Sequence, residues 1–220
     1  MQGDCQIMKI YRIPQNLKTI IFDIDSTLYT CPAYAHEQVD CQIRHFAELR
    51  KITSDEARTL VSDFRREWAR THDGKKISRG NLLTYFDIPI EKSIEWRNLL
   101  MKPEQFLSCD EKLINELKIL EQKFKLICVT NNPVLPARKT LEVIGASDFF
   151  TDIIGLDTCL VSKPNEKPLR LAAEKTGAKI EECLSVGDRF DIDLALPLEI
   201  GMGGILVSGV EDVWKLHEVL

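Results

Sequence analysis

The stretch from Lys18 to Thr30, reading KTIIFDIDSTLYT, constrains this chain more than any other. A short apolar run, Thr19 to Phe22, leads straight into Asp23, and a second acid, Asp25, follows two residues later. A run of this kind predicts a strand buried on both faces, as in a parallel sheet. Side chains two apart on an extended chain share a face, so the two carboxylates can be directed into one pocket. The carboxyl end of such a strand is also where open α/β sheets bind ligands. Aspartates end strands in ordinary turns as well, so the pair by itself leaves a structural reading beside the chemical one.

The strand rhythm returns in the second half. A helix is expected from Asp110, its N-cap, to Gln122, then a strand Leu126–Val129 that runs into Thr130-Asn131-Asn132-Pro133. A helix stopped by Gly145, a strand Asp152–Leu156 and a loop holding Ser162-Lys163-Pro164-Asn165 come next. A helix ending before Gly177 leads to the strand Leu184–Val186 and Gly187-Asp188. A helix over Asp191–Ile200, distorted by Pro197, precedes a last strand at Gly204–Val207 and a last helix at Val213–Val219. Strands alternating with helices predict an α/β fold, a Rossmann-like doubly wound parallel sheet.

Between these halves the periodicity is helical. Ala35, Val39, Ile43, Phe46 and Leu49 form one apolar stripe; Ala57, Leu60, Val61, Phe64 and Trp68 form a second, opened by the capping box Thr53–Glu56. Shorter helices are expected near Gly80–Phe86 and Glu91–Met101. The expectation is therefore a core built from residues 1–30 and 110–220, with a small all-helical cap, 31–109, inserted after the first strand. The connections near Cys31–Pro32 and Ser108–Asp110 are candidate hinges. The polar loop His72–Asn81 is solvent-facing by default, with a substrate-facing role as the alternative.

Composition narrows the partners. With 29 basic and 34 acidic residues the net charge is −5, which offers no general attraction to nucleic acid or an anionic membrane. No run is long enough to span a bilayer, and the N-terminus lacks the apolar stretch of a signal peptide. Seven scattered cysteines without a CxxC pair suit reduced thiols in a cytoplasmic protein. No GxxxxGK[ST] or GxGxxG occurs, so neither a P-loop nor a dinucleotide site is supported.

In a parallel sheet the strand ends share one edge, so Asp23/Asp25, Thr130/Asn131, Lys163 and Asp188/Asp191/Asp193 are expected to converge. Acids, an amine and a hydroxyl suit phosphoryl transfer assisted by Mg²⁺, a hard cation that takes oxygen ligands. Here the chain resembles the haloacid dehalogenase superfamily of phosphohydrolases. The likeness rests on Asp23-Ile24-Asp25-Ser26-Thr27-Leu28 (DxDxT), on Thr130 followed by Asn131, on Lys163-Pro164, and on Gly187-Asp188 with Asp193 (GDxxxxD). It implies that Asp23 is the nucleophile, forming an aspartyl-phosphate, and that Asp25 is the general acid and then base. It implies that Thr130, Asn131 and Lys163 hold the phosphate, and that Asp23, Asp188 and the backbone carbonyl of Asp25 hold Mg²⁺. Asp193 would orient Lys163 or water at the metal, and Thr27 would support the first loop by hydrogen bonding. Asp191 is read as a helix N-cap rather than a ligand.

The implied function is a Mg²⁺-dependent phosphomonoesterase acting on a small phosphorylated metabolite. FDIDSTLY is similar to the FDxDNTLY of the pyrimidine 5′-nucleotidase branch, so a nucleoside monophosphate leads, with phosphoglycolate and sugar phosphates as alternatives. Ser26 departs from that pattern's Asn. A phosphomutase and a non-catalytic phosphate-binding protein remain as other readings. Asp25 argues against the family's metal-free dehalogenase chemistry, which lacks the second acid.

Overall fold

The computed structural model describes residues 8–72, 74, 77 and 79–220. The strands are β1 (Lys9–Arg12), β2 (Thr19–Phe22), β3 (Lys125–Val129), β4 (Ile153–Ile154), β5 (Cys183–Gly187) and β6 (Gly203–Leu206). The helices are α1 (Pro32–Arg50), α2 (Ser54–Thr71), α3 (Arg79–Thr84), α4 (Ile90–Leu100), α5 (Glu111–Glu121), α6 (Val134–Val143), α7 (Leu156–Cys159), α8 (Glu166–Thr176), α9 (Ala195–Glu199) and α10 (Val210–Val213). Contacts divide the chain into one unit, Met1–Pro32 with Pro103–Leu220, and a second, Ala33–Lys102. The return to the first unit comes at Pro103, ahead of the expected 110, because the 3₁₀ turn Pro103–Gln105 packs on α6.

The first unit holds one sheet in the order β1-β6-β5-β2-β3-β4. β2 lies at its middle, paired in parallel with β3 and β5, and all four of its residues are buried. Ile21, Ile127, Val129 and Ile154 pack with Leu169, Ala172 and Ala173 of α8, so the apolar runs form the core. The sheet is not wholly parallel. β1 adds antiparallel to β6 at the edge, with all four of its side chains exposed. Nothing in KIYR announces a buried strand; pairing creates this one. Arg12 donates to the carbonyl of Met202, and Gly203 admits the β1 backbone, since a Cβ there would lie 2.7 Å from the Arg12 carbonyl oxygen.

Other departures are local. The helix expected over Asp191–Ile200 begins as a π turn, Phe190–Leu194, before α9. Pro197 falls within the first turn of α9, where its missing N–H is tolerated. The carbonyl of Asp193, four residues earlier, accepts from Ser185 Oγ at 2.7 Å instead. The expected last helix is a short α10 followed by a 3₁₀ turn, Leu216–Glu218.

The second unit buries Ile43, Phe46 and Ala47 of α1 against Ala57 and Val61 of α2, Leu82 and Leu83 of α3, and Trp96 of α4. Leu49 and Leu60, read as stripe members, are exposed. The capping box is present in both directions: Glu56 N donates to Thr53 Oγ1 and Thr53 N to Glu56 Oε2. Asp40, almost fully buried, lies between two arginines. Arg58 grips it through Nε at 2.7 Å and Nη2 at 2.9 Å, and Arg44 adds a further contact. The hydrogen bonds from Arg58 lead in holding its carboxyl down at about 2. The loop expected over His72–Asn81 lies largely outside the described residues.

Candidate active site

The site is built at the carboxyl edge of the sheet. The ladder runs one residue past β2, where Asp23 N donates to Val186 O at 2.9 Å. Asp23 is thereby fixed at the end of a fully buried strand. The chain then leaves the extended form: a turn covers residues 25–28, with Ser26 left-handed at φ 61°. Asp25 begins that turn. Its carboxylate accepts from Tyr29 Oη at 2.6 Å and from Asn132 Nδ2 at 2.7 Å. Thr27 is buried; its backbone N donates to Ile24 O, while its hydroxyl has no hydrogen-bond partner among the described residues.

Lys163 crosses the site. Its Nζ lies 2.6 Å from Asp23 Oδ1 and 2.8 Å from Asp193 Oδ1, with all three side chains almost wholly buried. Asn131 positions this lysine: Lys163 N donates to Asn131 Oδ1 at 2.6 Å, and Asn131 Nδ2 returns to Lys163 O at 3.2 Å. The Asn131 side chain thus bonds the lysine's backbone on both sides. Thr130 is buried at the end of β3, its Oγ1 accepting from Asn132 N at 3.1 Å. The π turn folds Asp193 back over Gly187, where any Cβ would collide with the Asp193 side chain, and Asp193 Oδ2 accepts from Arg189 N at 3.1 Å. Asp191 is exposed within that turn and is not its N-cap, a place taken by Arg189.

Carboxylate oxygens of Asp23, Asp188 and Asp193 come within 4.8 Å of one another. Asp23 Oδ2 and Asp188 Oδ1 are buried and accept no hydrogen bond among the described residues. The charge is correspondingly unbalanced. Burial is the largest influence on Asp23 and raises it to about 7; Lys163 opposes the rise, while Asp193 and Asp25 add to it. Burial, then Asp193, raises Asp188 to about 6. Burial would depress Lys163, but the charges of Asp193 and Asp23 outweigh it and hold the amine above its ordinary range. Three carboxylates share one buried ammonium, with the half-exposed Arg189 3.8 Å from Asp188. Hard oxygen donors with unmet demand, and no His or Cys among them, fit Mg²⁺ rather than a softer metal.

Fold and site together define an α/β enzyme with an acidic, lysine-braced centre at the switch edge of its sheet. A family model for haloacid dehalogenase-like hydrolases matches residues 17–199, and the chain belongs to that family. It is similar to a glyceraldehyde 3-phosphate phosphatase from Methanothermobacter thermautotrophicus, at 26% identity over 87% of this chain and 86% of the relative. It is 44% identical to the pyrophosphatase PpaX of Halalkalibacterium halodurans, over only 31% of this chain and 32% of that protein. A solved HAD phosphatase from Thermococcus onnurineus shares the fold, with a TM-score of 0.58 at 22% identity, covering 86% of this chain and 85% of that one. The chain is accordingly a hydrolase of the phosphatase kind.

Of the groups that sequence reasoning singled out, Asp23, Lys163, Asp188 and Asp193 meet directly. Tyr29 and Asn132 were not foreseen. The spacing of four from Asp25 was a signal for Tyr29; for Asn132, 107 residues away, there was none.

Proposed function

We propose that this protein is a Mg²⁺-dependent phosphomonoesterase that works through an aspartyl-phosphate on Asp23. The observation that carries the reading is the state of Asp23: buried at a strand end, one oxygen on Lys163 and the other accepting no hydrogen bond among the described residues. Asp23 and Asp188, with the carbonyl of Asp25, would hold the cation. Bound there, Mg²⁺ supplies the positive charge that lets a carboxylate approach a phosphate dianion.

The chain's own groups supply the rest. The Asp23 carboxylate attacks phosphorus, an O–P bond forms, and the ester P–O bond breaks with its electron pair on the leaving oxygen. Asp25 protonates that oxygen. It then takes a proton from water as the water attacks phosphorus and frees Asp23. Lys163 and Thr130 hold phosphate oxygens, Asp193 and Asn131 keep Lys163 in place, and the buried setting strengthens each of these charges.

For substrate we favour a short sugar phosphate or phosphoglycolate over a nucleoside monophosphate. Relatives matched along most of their length are named glyceraldehyde 3-phosphate phosphatase and phosphoglycolate phosphatase. The unit Ala33–Lys102 would serve as the cap that excludes water. Six free cysteines among the described residues suit a cytoplasmic setting.

The test is phosphate release from glyceraldehyde 3-phosphate, phosphoglycolate, UMP, CMP and AMP, with Mg²⁺ or with EDTA. Release by the wild type that needs Mg²⁺ and vanishes in Asp23→Asn is expected. Activity surviving in Asp23→Asn would overturn the nucleophile, and preference for UMP or CMP would restore the nucleotide reading.

A further inference from the structure

We propose that Tyr29 and Asn132 form a two-point clamp that positions Asp25 for protonating the leaving group. This rests on the reading of Asp25 as general acid. A carboxyl at the start of a turn has free rotation about χ1 and χ2, and a proton donor displaced by an ångström loses much of its effect. Asp25 has been denied that freedom. Tyr29 lies one helical turn further on, in a loop tied by Leu28 N to Ile24 O at 3.0 Å, and its hydroxyl meets Oδ1 at 2.6 Å. Asn132 approaches from the neighbouring strand end, with Nδ2 2.7 Å from Oδ2.

Both arms are rigidly mounted. The Tyr29 ring is buried. Asn132 is held at both main-chain groups, its N donating to Thr130 Oγ1 at 3.1 Å and its O accepting from Leu156 N at 2.9 Å. Next to it, Asp157 Oδ1 accepts from Val134 N at 2.9 Å and fixes the start of α6. The two adjacent asparagines therefore divide the work: Asn131 positions Lys163 and Asn132 positions Asp25. Neither Tyr29 nor Asn132 needs to touch substrate. They act through Asp25 and are positioning residues.

The distinguishing measurement compares two leaving groups. Nitrophenolate departs without a proton, whereas an alkoxide needs one, so kcat/KM for glyceraldehyde 3-phosphate relative to p-nitrophenyl phosphate isolates the acid step. Tyr29→Phe and Asn132→Ala should each lower that ratio about tenfold to a hundredfold, part of the range general acids contribute. Tyr29→Phe keeps the ring and the packing, so a folding defect in Asn132→Ala would leave the test intact. An equal loss on both esters is what a merely structural role produces, and it would overturn the clamp. Asp25→Asn is run alongside. If Asp25→Asn collapses the ratio while both other variants keep the wild-type value, the clamp fails and the acid assignment stands. If Asp25→Asn leaves the ratio unchanged, or the wild type hydrolyses neither ester, the underlying reading fails.

Discussion

Asp23 in the sheet unit and Asp40 in the helical unit are both almost completely buried carboxylates, yet their surroundings are opposites. Asp40 has two arginines, one gripping it with two nitrogens, and its carboxyl is held down at about 2. Among the described residues Asp23 shares one lysine with Asp193 and keeps an oxygen that accepts no hydrogen bond, and its carboxyl rises to about 7. Folding alone rewards the first arrangement, because a buried charge is tolerated when it is paired and hydrogen-bonded. The second leaves demand for a cation and a reaction partner. The satisfied carboxylate is scaffold, and the unsatisfied one is where chemistry is expected.

The largest effects should come from neutralising each acid in turn. Asp23→Asn should reduce turnover by at least on the order of 10³-fold. In metal-free protein it should also raise Tm, because an amide relieves the crowding of Asp23, Asp188 and Asp193; a lowered Tm would mean that the Lys163 contact outweighs the repulsion. Asp40→Ala should do the reverse. It should cost about 1.5–3 kcal/mol for a lost charge-assisted hydrogen bond, or ~3–12 °C in Tm for a chain of this size. The chemical step should be untouched. A drop in single-turnover rate at a temperature where Asp40→Ala is fully folded would break the contrast.

The pH dependence of stability should separate the two centres next. A carboxyl raised in the folded state favours folding while it is protonated. The contribution of Asp23 and Asp188 is therefore full below about pH 4, the unfolded range, and is lost as pH rises through about 6 and 7. Asp40 has the opposite sign: its contribution is present above about pH 4 and is lost as pH falls through about 2. Metal-free melting curves should show Asp23→Asn flattening the neutral side and Asp40→Asn flattening the acid side. Mg²⁺ should raise Tm at neutral pH in the wild type and much less in Asp23→Asn.

The smallest effect concerns backbone strain, which both units carry. Ser26 beside the site and Lys51 after α1 both sit in the left-handed region, at φ 61° and 56°. Glycine relieves that strain, so Ser26→Gly and Lys51→Gly should each stabilise by up to ~1 kcal/mol. Gain at Lys51 alone would show that the turn at Ser26 is held by contacts that its hydroxyl makes.

Much of this was legible in the chain. β2, β3, β5 and β6 fall on the mostly apolar segments expected to be strands, and α2 and α5 begin at caps whose side chains bond as expected, Thr53 and Asp110; Asn165 caps α8 in the same way, without having been singled out. β1 was not legible, because KIYR is exposed throughout and becomes a strand only by pairing with β6. The π turn was hidden for a related reason. Composition predicts a helix there, but the close approach of Asp193 to Gly187 decides its winding.

The site divides along the same line. Sequence by itself determined that acids would stand at the ends of buried strands and a lysine in the loop that follows, since apolar runs and the residues that stop them are local properties. Only the tertiary structure decided which polar group meets which. Asp23 finds Lys163 across 140 residues and Asp25 finds Asn132 across 107, while adjacent Asn131 turns to the Lys163 backbone. No periodicity distinguishes two neighbouring asparagines. Their partners are set by how β2 and β3 align and by where the Lys163 loop returns, and those are distances through space.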